Sequence, residues 1–170
     1  MKTLKPAFAV VFLLFSLFAS AQKTQYYSDI HEEVLKGKEL VEQGKYNSAY
    51  RHFESLQQNM DPKSELYSEA EYFKSICILK SGNTSGSGMI EKFISDYPDS
   101  PYINYAWFNL ATFQFEKKQY LPALKSYAKT DLVELDDNER IQAHYEMGYS
   151  YMTQDNLDKA AAEFFQIKDR

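Results

Sequence analysis

The sequence predicts an all-α fold built from stacked helix pairs, and three observations point to it. Apolar residues recur three and four apart through most of the chain, the spacing that buries one face of a helix. No run alternates apolar and polar side chains over the length that a strand needs. Most telling, the chain repeats itself. Ala49, Ala123 and Ala160 are separated by 74 and 37 residues, and Gly86 supplies a small residue one period after Ala49.

Residues 1–21 read as an export signal. Lys2 and Lys5 give a positive start, Ala7 to Phe18 is apolar apart from Ser16, and Ala19-Ser20-Ala21 offers small residues for cleavage before Gln22. The apolar run is shorter than the roughly 20 residues of a membrane-spanning helix. No cysteine closes this segment, so the expected product is exported to the periplasm or envelope without a lipid anchor and is not an integral membrane protein. Residues 22–27 form a short linker, and 28–170 hold about four helix pairs.

The first pair places Gly37 and Leu40 on its first helix and Tyr46, Ala49, Phe53 and Leu56 on its second. Gly44 marks the turn between them, where permissive backbone is needed. Asp61-Pro62 reads as the start of the second pair. There Ser75 takes the small-residue position, and the turn from Gly82 to Gly88 is one residue out of step. The third pair opens at Ser100-Pro101, carries Trp107, Leu110, Ala111 and Gln114, and continues with Tyr120, Pro122, Ala123 and Tyr127. Asp137-Asn138-Glu139 opens the fourth, with acids at the positive end of a helix. His144, Met147, Gly148 and Tyr151 follow, then a turn at Asp155-Asn156 and a helix with Leu157, Ala160, Phe164 and Ile167. Small residues let helix backbones approach: Ala111 and Gly148 are expected to do so within a pair, Ala123 and Ala160 between neighbouring pairs.

These residues carry a resemblance. Trp107-x2-Leu110-Ala111 followed by Tyr120-x2-Ala123-x3-Tyr127 resembles the tetratricopeptide repeat, as does Met147-Gly148-x2-Tyr151 followed by Leu157-x2-Ala160-x3-Phe164. The phrase Tyr97-Pro98-Asp99-Ser100-Pro101-Tyr102 is similar to exported bacterial members such as the outer-membrane assembly lipoprotein and the periplasmic coordinator of the Tol-Pal system. The resemblance implies a right-handed superhelical solenoid of antiparallel helix pairs whose first helices line a concave groove. It places Val34, Lys38 and Val41 inward, then Tyr72, Ile76 and Leu79, then Tyr105, Phe108, Thr112 and Phe115, then Tyr145, Tyr149 and Met152. Tyr72, Tyr105, Phe108, Phe115, Tyr145, Tyr149 and Met152 are therefore the candidate partner-binding residues. Such rings suit a protein or extended peptide, because a rigid aromatic side chain buries area at low entropic cost. The same rings would also serve simply to pack helices in a tightly wound stack. Members that grip a C-terminal carboxylate use Lys, Arg and Asn at inward positions, and only Lys38 and Asn109 could act so here.

Chemistry-bearing motifs are scarce, and the expectation is a non-enzymatic scaffold mediating protein–protein interaction, with no cofactor and no metal. The 24 Asp/Glu outnumber the 19 Lys/Arg, which argues against a phosphate-neutralising nucleic-acid surface. Cys77 stands alone. His31, His52 and His144 are scattered, and the glycines from Gly82 to Gly88 lack the Lys-Ser/Thr pair of a phosphate loop. The rival function is a glycan- or cell-wall-binding module, in which rings stack on sugars with Asp, Asn or Arg beside them. Phe164 and Ile167 end the last unit with an apolar face, so residues 28–170 are expected to be the N-terminal part of a longer repeat array; the alternative is a partner that covers the C-terminal end.

Overall fold

The computed structural model describes residues 29–83 and 85–168. The export signal, the linker and the first residue of the repeat region lie outside these. Eight α-helices account for the described chain, with no strand among the described residues. They are α1 over residues 29–42, α2 Tyr46–Gln57, α3 Glu65–Lys80, α4 Gly86–Asp96, α5 Ile103–Glu116, α6 Tyr120–Tyr127, α7 Asp137–Thr153 and α8 Leu157–Phe165. A single 3-10 turn, Leu132–Glu134, bridges α6 and α7.

Short turns join the helices in pairs, and one backbone device closes them. Gly44, Gly82, Lys118 and Asp155 all have positive φ, between 56° and 75°, one in each turn. At three of the four the hydrogen bonds repeat: Lys45 N–H donates to Leu40 O, Gln119 to Gln114 O and Asn156 to Tyr151 O, each reaching five residues back. The left-handed residue itself donates three back, Gly44 to Val41 O, Lys118 to Phe115 O and Asp155 to Met152 O. This arrangement satisfies carbonyls that the helix end leaves open. The Gly82 turn lacks the five-residue bond and is the one that the sequence shows out of step.

Two helix starts lie later than the sequence suggests. Asp61-Pro62 forms a turn in which Asp61 Oδ1 accepts from Lys63 N–H, and Ser64 is the true cap of α3, accepting from Tyr67 N–H at 3.2 Å. Ser100-Pro101 likewise precedes α5 by a turn. The start of α7 is close to expectation: Asp136 and Glu139 form a reciprocal capping box.

Consecutive helices pack on one another, and α3 also touches α5, as α5 touches α7. The buried side chains fall into three clusters, each joining one pair to the next odd helix. The first groups Val34, Ala49 and Phe53 with Ala70 and Cys77. The second groups Tyr72, Ile76, Leu79 and Ile90 with Ala106, Leu110 and Phe113. The third groups Phe108, Ala111 and Tyr127 with Ala143 and Met147.

The small residues are buried as the period requires, including Ala49, Gly86, Ala123 and Ala160. A Cβ on Gly148 would meet the Phe164 ring at 2.7 Å, and one on Gly37 would meet Phe53 at 2.5 Å, so both positions hold a pair together. At Gly86, one period after Ala49, the nearest neighbour is the Leu79 backbone at 2.7 Å, so there the close approach lies within a pair.

Candidate functional site

The repeat sorts the seven candidate residues into columns. Val34, Tyr72, Phe108 and Tyr145 occupy one equivalent position, Lys38, Ile76, Thr112 and Tyr149 a second, and Val41, Leu79, Phe115 and Met152 a third. Tyr72 and Phe108 are each only 5% exposed. Both are packing residues and cannot touch a partner, because the next odd helix lies over them with Ala106 and Ala143. Tyr72 is further fixed by stacking on Tyr102 at 4.7 Å, and its hydroxyl accepts from Asn109 Nδ2 at 3.3 Å.

The surface between the odd helices is more polar than the ring-lined groove expected there. Lys38 Nζ donates to Glu69 Oε1 at 2.9 Å and to Tyr102 Oη at 3.3 Å, and Tyr102 Oη donates to Glu69 Oε1 at 2.5 Å. The ammonium also lies 5.2 Å from the centre of the Phe73 ring. Asn109 donates to Tyr105 O at 2.8 Å. The two side chains that could have gripped a carboxylate are thus already engaged, and Tyr105 is half-buried beside them.

The remaining candidates gather at the C-terminal end. The Phe115, Tyr120 and Tyr149 rings form a triangle with centroids 5.6 to 5.7 Å apart. Tyr145 continues it, 6.4 Å from Tyr149 and 6.2 Å from Phe164. Tyr145 is 50% exposed and Met152 45%. Phe115, Tyr145 and Tyr149 therefore share one aromatic surface with Tyr120 and Phe164, and Met152 lies three residues beyond Tyr149 on α7. Tyr120 went unnoticed as a surface residue because it opens a second helix rather than lying on a first one.

The polar groups elsewhere serve the fold. Tyr127 Oη donates to the buried Glu146 Oε2 at 2.5 Å, Gln142 Nε2 donates to its Oε1 at 2.8 Å, and Thr112 Oγ1 lies 3.2 Å from Tyr127 Oη. Burial drives the Glu146 carboxyl above the ordinary glutamate range, and the hydrogen bonds from Tyr127 and Gln142 oppose that. Burial also pushes the Cys77 thiol up to about 12, so it is a packed, unreactive group. His52 Nε2 lies 3.6 Å from Glu33 Oε2, and His144 Nδ1 lies 2.8 Å from Glu163 Oε2. Glu33 and His144 are equivalent positions, as are His52 and Glu163, but the contacts differ, because His52 Nε2 hydrogen-bonds the Glu33 backbone carbonyl at 2.7 Å whereas His144 reaches the Glu163 carboxylate.

Two adjoining clefts of about 560 and 300 Å³ open beside α3 and α4 and share Asp96 and Tyr97. Among the described residues, no cluster of three or more His, Cys, Asp and Glu is arranged to hold a metal, and no helix is long and apolar enough to cross a membrane. In comparisons with known proteins, no family model, curated protein or solved structure matches the chain.

Proposed function

We propose that this protein is an exported, non-enzymatic scaffold of the tetratricopeptide type, acting in the cell envelope through protein–protein contacts. The observation that carries this reading is the aromatic surface of Phe115, Tyr120, Tyr145 and Tyr149 with Met152 at its edge. Rings held by one another lose little freedom on binding, and they supply the apolar area that a protein partner buries. The internal period of 37 and the packing of each odd helix on the preceding pair support a superhelical stack with further surface for partners. The test pairs Tyr145→Ala with Met152→Ala. Capture of an envelope protein is expected to be lost while the melting curve is unchanged, because both side chains are about half exposed. Retained capture refutes the surface.

A glycan-binding reading has one observation in its favour, away from the aromatic surface. In the smaller cleft Tyr67 and Tyr97 face Glu71, Lys92 and Asp96, the mixture of rings and charges that sugar hydroxyls require. Retention on a glycan array that Tyr97→Ala abolishes would favour this second reading.

A further inference from the structure

The larger of the two clefts beside α3 and α4 lies between two chain connections. One lip is the turn from Pro62 to Ser64 with the first turn of α3, and the other is the connection from Asp96 to Pro101. Each lip is held by its own hydrogen bonds. Ser64 N–H donates to Asp61 O at 2.9 Å, Tyr97 N–H to Phe93 O at 2.9 Å and Ser100 N–H to Tyr97 O at 3.1 Å. The Tyr97 ring stacks on the buried Phe93 at 5.4 Å, and Pro62, Pro98 and Pro101 fix their own φ. The cleft is therefore preformed, and at about 560 Å³ it has the size of a ligand site.

Its serines are engaged in the fold. Ser64 Oγ donates to Asp61 O, Ser68 Oγ donates to Glu65 O, and Ser100 Oγ accepts from Tyr102 N–H. Asp96 is paired with Lys92. What is left to meet a ligand is two exposed carboxylates, Glu65 and Asp99, one ammonium, Lys63, and the Tyr97 ring. The balance is negative. At the wall that both clefts share, burial and then the charge of Glu71 hold the Tyr97 hydroxyl above the ordinary tyrosine range, with Tyr67 and Asp96 adding to this and Lys92 opposing it.

We propose that this cleft binds a partner protein through an extended basic segment, which places a lysine or arginine at the Glu65 and Asp99 carboxylates and runs on past Tyr97 into the smaller cleft. The shared residues Asp96 and Tyr97 make the two clefts one path along α3 and α4. A cation on that path meets acceptors, and a guanidinium can also lie on the Tyr97 ring. Three prolines leave the lips short of N–H groups for pairing with a strand, so recognition falls to side chains. A glycan fits this cleft less well, because no Asn or Gln lines its larger half to give and take hydrogen bonds at once.

The cleft shares no residue with the aromatic surface, so either can fail alone. The probe is a short fluorescein-labelled peptide of alternating proline and arginine, titrated onto the full chain and followed by fluorescence anisotropy. Saturable binding is expected, weakened about tenfold by Glu65→Gln with Asp99→Asn. Both carboxylates are exposed, so the melting curve should move little. The same loss of charge on the outer face of α1, Glu32→Gln with Glu39→Gln, should leave binding unchanged, as should Tyr145→Ala. A peptide of alternating proline and glutamate should not bind. Absence of saturable binding overturns the proposal. Equal weakening by the two double variants overturns it too, by showing mere attraction to an acidic chain. Retention of a neutral glycan that Tyr97→Ala abolishes, with no peptide bound, overturns it in favour of a sugar.

Discussion

Two glycines in one helix, two residues apart, show how far a side chain's worth depends on what stands beside it. At Gly86 a methyl group would run into the backbone of Leu79, which cannot rotate away as a side chain could. At Gly88 nothing lies within 4 Å. Gly86→Ala should therefore destabilise the protein by about 1–3 kcal/mol. Gly88→Ala should stabilise it by about 0.5–1 kcal/mol, by restricting the unfolded chain and favouring helix. Urea unfolding of the two variants measures both, and equal shifts would show that the close approach is absent. Gly37 belongs with Gly86 more than with Gly148. The Phe53 ring that faces Gly37 is fully buried and stacked on Phe73 at 5.7 Å, whereas the Phe164 ring facing Gly148 is half-buried and freer to shift.

Among the described residues, a buried acid, Glu146, ties the junction of α5, α6 and α7. The folded state holds the Glu146 proton more tightly than the unfolded chain does, because burial raises its pKa. Stability from this group is therefore fully present below the ordinary glutamate range and falls as pH rises through the raised folded value. Glu146→Gln keeps an acceptor for Tyr127 and removes the ionisation, so its melting temperature should fall less than that of the parent over that interval. Identical pH profiles would contradict the assignment. Most of the helix pattern was legible in the sequence, because Ala49, Gly86, Ala123 and Ala160 recur every 37 residues and Gly44 and Gly82 mark two of the turns. Lys118 was not legible as a left-handed residue, since lysine carries no turn signal and only its place one period before Asp155 betrays it. Tyr72 and Phe108 were misplaced for a different reason. Helices α3 and α5 are each buried on several sides, with Ala70, Tyr72, Ile76, Cys77 and Leu79 of α3 and Ala106, Phe108, Leu110, Ala111 and Phe113 of α5 all in the core. Periodicity then cannot separate the side facing a groove from the side facing the next pair.

Across the whole molecule the two ends of the described stack differ in kind. The front helix places Glu32, Lys36 and Glu39 in solvent, and charged residues on an outer face keep a stack of repeats from growing. The rear presents Tyr145 and Met152. Replacing Glu32 with Ala, Lys36 with Leu and Glu39 with Phe would give α1 the residues of Ala106, Leu110 and Phe113 in α5. This triple variant should associate head to tail, with a weight-average mass in sedimentation that climbs with concentration, while the parent's does not. A variant that sediments as the parent does would show that the charges are idle. The described helices thus run from a wetted first face to an oily last one. The two rims of this stack are therefore unlike surfaces, and a copy offers its charged face, not an oily one, to the rear of the next.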